Sequence, residues 1–199
     1  MANENRFGKV SDWRDSTSVK ALPSEARPGD RLEFKRVCGY SHWAIYIGEH
    51  DKIEHAVIHF SLHEGALIFS ALTCSCSAGI ASSQPEIRAD SIETVLGNSG
   101  QVRINNSKDR DTAPFDTSII VQTAKDKQKS ETQPKYSLLR NNCEHFVNSC
   151  RYNQTVSEQV NDAVVWLIFT VTKNIVPVVA FCIFLLFFWL ALMNAQRYW

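Results

Sequence analysis

The chain has 199 residues, of which 44% are hydrophobic and 21% charged, and its 21 basic and 21 acidic side chains give a formal net charge of zero. This composition is typical of a globular protein and argues against a disordered chain or a small disulfide scaffold. Every acidic residue lies at or before Asp162, and only Lys173 and Arg197 among the basic residues come later. The part before that point is nearly neutral, which argues against a nucleic-acid-binding surface.

Residues 1–26 are polar, end in a Pro-containing stretch and show no sustained hydrophobic period. We therefore expect a flexible N-terminal arm. The first fifteen residues contain no apolar run like that of a secretory signal peptide, so we expect the bulk of the chain to face the cytosol. In that reducing compartment the six cysteines are expected to be thiols.

Short runs rich in β-branched and aromatic residues follow the arm and predict an antiparallel sheet. The runs are RLEFKRV (31–37), HWAIYIG (42–48), IEHAVIHF (53–60), ALIFSAL (66–72) and, later, QVRIN (101–105). The connection around 77–86 shows no pattern that assigns a structure. The sheet and the helices that come after it predict an α+β domain.

Two helices are predicted after the strands. Residues 116–129 carry apolar side chains at helical spacing and end in the charged run KDKQK. In the second helix, Asn142 occupies the N-cap position, and Phe146, Val147 and Cys150 form one apolar face. Cys143 therefore falls in the first helical turn.

The C-terminal part of the chain is strongly apolar. Residues 175–193 read IVPVVAFCIFLLFFWLALM, 19 residues without a charge, and a helix of that length covers roughly the 30 Å hydrocarbon core of a bilayer. A buried core helix is the alternative, but such a helix normally keeps a polar face. We expect a transmembrane tail anchor with Pro177 in its first turn, preceded by an amphipathic connecting segment at 156–174.

Cys143 is the first candidate for chemistry. Unpaired N–H groups at a helix N-terminus favour a thiolate, which is the reactive form of cysteine. A nucleophilic thiol also needs a base, and histidine suits this role near neutral pH. His42 and His55 stand on neighbouring predicted strands, so a hairpin could bring their rings together on one face, with the helix of Cys143 packed against it.

A zinc site is the competing use of the histidines. His55, His59, His63, Cys74 and Cys76 supply ligand atoms, but their spacing fits no common zinc pattern, and histidines on one strand share a face without converging. We therefore expect no metal and no other cofactor.

Three blocks carry a resemblance to a known family: PGDRLEF, SHWAIYIG and NNCEHFVNSCRY. Together with QVRINNSKD, RYNQTVSEQV and the apolar C-terminal segment, they resemble the phospholipase A and acyltransferase family of the lecithin retinol acyltransferase-like superfamily. NCEHF is the most specific of these motifs. The resemblance covers about residues 28–193.

The resemblance implies a circularly permuted papain-like fold, with an antiparallel sheet packed on the helix that bears the nucleophile and a catalytic domain at 27–155. It implies Cys143 as the nucleophile, His42 as the base and His55 as the third, polarising residue. Tyr40 is the candidate oxyanion donor.

The spacing of the two histidines departs from the family pattern. His42 and His55 are 13 residues apart, whereas the family usually has 12, so one residue is added in the turn at 49–52. A hairpin turn can absorb one residue, but the shift could also bring a different side chain into register.

The implied function is a thiol-dependent phospholipase A1/A2 and acyltransferase that acts on glycerophospholipids at the bilayer. Its reactions would be hydrolysis, N-acylation of phosphatidylethanolamine and O-acylation of lysophospholipid through an acyl-cysteine intermediate. Two alternatives remain open: a membrane-tethered interaction module without catalysis, and a thiol peptidase or deamidase on the same fold.

Overall fold

The computed structural model describes residues 7–36, 41–61, 85–137 and 140–195. Its contacts divide the chain into two units, Met1–Ser157 and Glu158–Trp199. The first unit contains a five-stranded sheet with helices, and the second is a single helix. The α+β class predicted from the sequence is confirmed.

All strand pairs in the sheet are antiparallel, and the strand order is β4-β3-β2-β1-β5. The strands are β1 (Arg31–Lys35), β2 (Ser41–His50), β3 (Ile53–Ser61), β4 (Glu86–Ser91) and β5 (Gln101–Ile104). The α-helices are α1 (Leu22–Glu25), α2 (Ile92–Leu96), α3 (Thr117–Lys129), α4 (Cys143–Tyr152) and α5 (Glu158–Ala195). Four predicted strands and both predicted helices are confirmed. The predicted strand ALIFSAL lies outside the described residues. The elements β4 and α2 come from the stretch that the sequence pattern left partly unassigned.

Both faces of the sheet are buried, because apolar side chains occupy both faces of β2. Trp43 and Ile45 belong to a cluster that includes residues of α3 and α4. Ala44 and Tyr46 belong to a second cluster that includes residues of α1 and α2. A strand buried on both sides gives a nearly continuous apolar run, which is why HWAIYIG shows little alternation in the sequence.

The segment expected to be a flexible arm lies on the sheet from its seventh residue onward. Val19 and Leu22 are buried in the core, and the backbone N–H of Ser11 donates to the carbonyl of Ile104 at 3.0 Å. A short 3₁₀ turn at Val19–Ala21 leads into α1. The apolar spacing of Val19, Leu22 and Ala26 fits one face of a helix, but it covers too few residues to be detected as a period.

The second unit, α5, is one continuous helix from Glu158 to Ala195. By length and composition it could cross a membrane, since an 18-residue window within Glu158–Phe187 has a mean hydropathy of 2.0. Pro177 lies inside this helix, so its expected placement in the first turn of a separate anchor helix is wrong. Residues 156–174 and 175–193 are therefore not separated by a break in the helix.

The C-terminal end of α4 is tied to the sheet by a buried ion pair. Nε and Nη2 of Arg151 donate to the two carboxylate oxygens of Asp109 at 2.9 and 2.7 Å, and Nη1 donates to the carbonyl of Gly29 at 2.7 Å. The hydroxyl of Tyr152 donates to the same carboxylate at 2.7 Å. These bonds set the position of the helix whose other end carries Cys143.

Asp109→Ala should lower the free energy of unfolding by about 3–5 kcal/mol, because it leaves the Arg151 guanidinium buried without its counter-ion. Asp111→Ala, an exposed carboxylate in the same turn, is the matched control and should cost less than about 0.5 kcal/mol. Urea unfolding of the full chain in detergent micelles measures both. Equal losses in the two variants would contradict the anchoring role.

Candidate active site

Cys143 is the first residue of α4, as the sequence predicts. The side-chain oxygen of Asn142 accepts hydrogen bonds from the backbone N–H groups of Glu144 and His145 at 2.9 and 3.1 Å. The backbone N–H of Asn142 donates to Nδ1 of His145 at 3.3 Å, which completes a capping box. The thiol is thus held in the first turn, where the positive end of the helix dipole stabilises an anion.

Cys143 lies in the core cluster that contains residues of β2, β3, α3 and α4. Its side chain is fully buried and belongs to the same cluster as Trp43 and Phe60. The chain leading into α4 lies at the C-terminal end of β3, because the rings of Tyr136 and Phe60 have centroids 5.0 Å apart. His42 immediately precedes Trp43 on β2, so it stands next to a residue of the same cluster.

His42 belongs to a chain of three hydrogen-bonded groups, here called the His42–His59–Asp90 array. Nε2 of His42 lies 2.8 Å from Nδ1 of His59, and the two rings are nearly perpendicular. Nε2 of His59 lies 2.8 Å from Oδ2 of Asp90. Arg88 forms an ion pair with the same carboxylate oxygen at 2.6 Å. The array thus crosses three adjacent strands, β2, β3 and β4.

His55 is placed elsewhere on β3. Its Nδ1 lies 3.4 Å from the hydroxyl of Tyr46, and it stands four residues, roughly 13 Å of strand, from His59. His59 is opposite Ala44 in the register and therefore diagonal to His42, a relation within reach of aromatic side chains. The structure brings His42 together with His59, and the role expected for His55 stays a prediction.

The turn of the hairpin explains this placement. Asp51 and Lys52 both have positive φ angles, 48° and 69°, and His50 pairs with Ile53 across them. A two-residue turn of this kind closes the hairpin tightly and determines which residues face each other. The register that starts at this turn is irregular on either side of Gly48 and then places His59 opposite Ala44.

Cys143 and His42 are associated with different clusters of the core. The ring of His42 lies against Phe34, with centroids 6.2 Å apart, and Phe34 belongs to the cluster on the face opposite that of Cys143. The thiol and the imidazole are therefore not packed together across a single face. A direct contact between them stays a prediction.

Other residues considered in the sequence lie outside the described part of the chain, namely Tyr40, His63, Cys74 and Cys76. Among the described residues there is no group of three or more side chains suited to hold a metal ion. Within the same residues, the cysteines Cys143, Cys150 and Cys182 form no disulfide.

Burial controls the charge of the array. It lowers the pKa of His42 well below the ordinary value, and the nearby His59, Arg36 and Arg88 lower it further. Burial, together with the charges of Arg88 and Arg36, lowers the pKa of His59 despite the opposing effect of Asp90. Burial raises the pKa of Asp90, but the hydrogen bond from His59 and the charge of Arg88 outweigh it and leave a net lowering. At neutral pH both rings are therefore neutral and the carboxylate is ionised.

The chain is similar to a family of known acyltransferases. The family model for lecithin retinol acyltransferase matches residues 24–156. Human phospholipase A and acyltransferase 4 is 35% identical over 145 residues, which is 70% of this chain and 77% of the relative. Mouse phospholipase A and acyltransferase 1 is 36% identical over 142 residues, 71% and 77% of the two chains. Human phospholipase A and acyltransferase 3 is 33% identical over 148 residues, 74% and 83%.

The low pKa values of the two rings predict a loss of stability in mild acid. In the folded chain, both histidines have pKa values below the ordinary value of 6.5. At a pH between these lowered values and 6.5, the unfolded chain therefore binds protons that the folded chain does not. The free energy of unfolding falls as the pH drops below about 6.5. His59→Gln should make this pH dependence shallower. Urea unfolding of the full chain in micelles between pH 7.5 and 5 measures the slope, with His55→Gln as control. An unchanged slope in His59→Gln would contradict the assignment.

Proposed function

Because the chain belongs to the lecithin retinol acyltransferase family, and within it to the phospholipase A and acyltransferase proteins, we propose that it is a thiol-dependent phospholipase A1/A2 and acyltransferase acting on glycerophospholipids. The observation that carries the proposal is a thiol in the capped first turn of α4, in a chain whose second strand carries the neutral His42 ring hydrogen-bonded to His59. The same family membership supports a circularly permuted papain-like arrangement.

In the first half of the reaction, His42 accepts the proton of the Cys143 thiol, and the thiolate attacks the carbonyl carbon of an acyl ester. A C–S bond forms and the carbonyl electrons move to oxygen. When the tetrahedral intermediate collapses, the ester C–O bond breaks. The leaving lysophospholipid oxygen takes the proton from the His42 imidazolium, and the acyl group remains on sulfur as a thioester.

In the second half, an acceptor attacks the thioester and gives its proton to His42, and the C–S bond breaks to release the Cys143 sulfur. Water as acceptor gives a free fatty acid. The amine of phosphatidylethanolamine gives an N-acylated lipid, and a lysophospholipid hydroxyl gives an O-acylated one. The proton on His42 returns to the sulfur, which restores the starting state.

The oxyanion of each tetrahedral intermediate needs hydrogen-bond donors. The N–H groups of Glu144 and His145 already donate to Asn142. We assign the oxyanion contact to the N–H of Cys143 together with the hydroxyl of Tyr40. This position at the helix N-terminus adds the favourable dipole to the stabilisation of the charge.

For the third residue, we propose His59 in place of His55. His59 is hydrogen-bonded to the His42 ring and almost fully buried, and these contacts support a role in holding the base in one orientation. His55 instead contacts the Tyr46 hydroxyl. A five-residue longer spacing between the two histidines, 17 instead of 12, is accommodated by the extended hairpin of β2 and β3.

The helix α5 supports a membrane location. We propose that it crosses the bilayer and holds the catalytic unit at the cytosolic surface, where its lipid substrates lie. Anchoring replaces diffusion of an insoluble substrate by lateral encounter.

The nucleophile is tested by mass spectrometry of the full chain in micelles mixed with a diacyl phosphatidylcholine. We expect an added mass equal to one acyl group, located on Cys143. Cys143→Ala should abolish the adduct and reduce turnover by about three orders of magnitude or more. Cys150→Ala is the matched control on the same helix, since burial raises the pKa of the Cys150 thiol to about 12 and leaves it protonated. An adduct that persists in Cys143→Ala would refute the assigned role.

The third residue is tested by comparing His59→Ala with His55→Ala at one pH on one phospholipid. His59→Ala should lower single-turnover acylation about tenfold or more, because the base loses its orienting partner, whereas His55→Ala should stay within about threefold of the unmutated protein. The reverse pattern would favour His55. Circular dichroism verifies that both variants are folded.

A further inference from the structure

We infer that Asp90 is a positioning residue that acts through His59 to fix the tautomer of His42, so that Nδ1 of His42 is the nitrogen that accepts the thiol proton. The inference rests on the proposed function for its catalytic consequence. Its structural content, one defined tautomer for each ring, can be tested without any lipid.

The geometry supplies a hydrogen-bond chain with a defined beginning. Asp90 can only accept at its ionised carboxylate, so the bond of 2.8 Å to Nε2 of His59 requires the proton on that nitrogen. A neutral imidazole carries one proton, and Nδ1 of His59 is therefore an acceptor. The bond of 2.8 Å between this atom and Nε2 of His42 then requires the proton on Nε2 of His42.

This arrangement of protons leaves Nδ1 of His42 as a proton acceptor. With its single proton on Nε2, the neutral ring has its lone pair on Nδ1, which is not used by the array. A base with two interchangeable tautomers would present this lone pair only part of the time. The Asp90 carboxylate, acting through His59, favours one tautomer of His42, in the way that a buried carboxylate orients the imidazole of a catalytic triad.

The charges around the array support this direction of the hydrogen bonds. Arg88 stands opposite His59 in the β3–β4 register and forms an ion pair with Asp90. Its positive charge keeps the carboxylate ionised. The positive charge of Arg36 also lowers the pKa of both rings. Its guanidinium donates to the carbonyls of Leu96 and Val95. Both arginines disfavour an imidazolium in the resting state, so each ring carries one proton.

When His42 accepts the thiol proton, its imidazolium has both nitrogens protonated and keeps donating from Nε2 to His59. The negative charge of Asp90 then stabilises the new positive charge through the intervening ring. Asp90 touches neither the acyl group nor the thiol in this scheme, so its loss should lower the rate of acylation and leave lipid binding unchanged.

Nitrogen NMR of the full chain in micelles, with ¹⁵N-labelled histidine, tests the tautomers directly. In the unmutated protein at pH 7.5 we expect Nε2–H on both His42 and His59. Asp90→Asn and Asp90→Ala should each convert His59 to a mixture of tautomers or to Nδ1–H. Glu86→Gln, which removes an exposed carboxylate from the same strand, is the matched control and should leave both rings unchanged.

Kinetics on the same proteins give the second readout. Asp90→Asn should lower kcat for acyl transfer from phosphatidylcholine about tenfold or more with KM within about twofold, and Glu86→Gln should match the unmutated protein. The inference is overturned if the unmutated protein shows Nδ1–H on His59, and this measurement does not depend on any variant folding. It is also overturned if Asp90→Asn retains both the tautomers and the kcat of the unmutated protein. Absence of acyl transfer in the unmutated protein, with the expected tautomers present, would overturn the proposed function and the catalytic part of this inference but not the tautomer assignment.

Discussion

The antiparallel register between β2 and β3 is the constraint on which the site depends. The turn at Asp51–Lys52 pairs His50 with Ile53, and from there the pairing runs to Ala44 and His59. A slip of one residue would turn every later side chain of β3 to the other face of the sheet. The turn at one end of the hairpin and the register irregularities on either side of Gly48 together determine which imidazole meets His42 at the other end.

A second constraint comes from the helix that carries the thiol. Its N-terminus is closed by the Asn142 capping box, and its C-terminal end is tied by Arg151 to Asp109 and Gly29. Both ends of α4 are therefore held by groups with little exposure to water, where hydrogen bonds and ion pairs tolerate little loss. Such anchoring holds the thiol of Cys143 in one position relative to the fold.

The first unit contains several polar groups in its interior, and two clusters of them, around Asp109 and around His59, have well-defined partners. The carboxylate of Asp109 accepts from Arg151, Tyr152 and the backbone of Gly8. Burying a charged group is costly, and in the His42–His59–Asp90 array this cost is limited because two of the three members are neutral. The first arrangement stabilises the fold with full charges, whereas the second keeps a proton acceptor available, which suits a group that must change its protonation state during a reaction cycle.

The sequence alone was sufficient for four of the strands, for α3, α4 and the apolar C-terminal helix, and for the position of Cys143, because these depend on local rules: an Asn before an apolar helical face, β-branched runs, and an uncharged stretch of 19 residues. The family followed from NCEHF and its neighbouring blocks. The partner of His42 could not be read from spacing, since that depends on where a turn closes and how far the paired strands extend. Asp90 could not be predicted at all, because its strand was only partly assigned and its contact with His59 spans 31 residues. Tertiary pairing decided which ionisable groups share one buried space, and that shared burial sets their protonation.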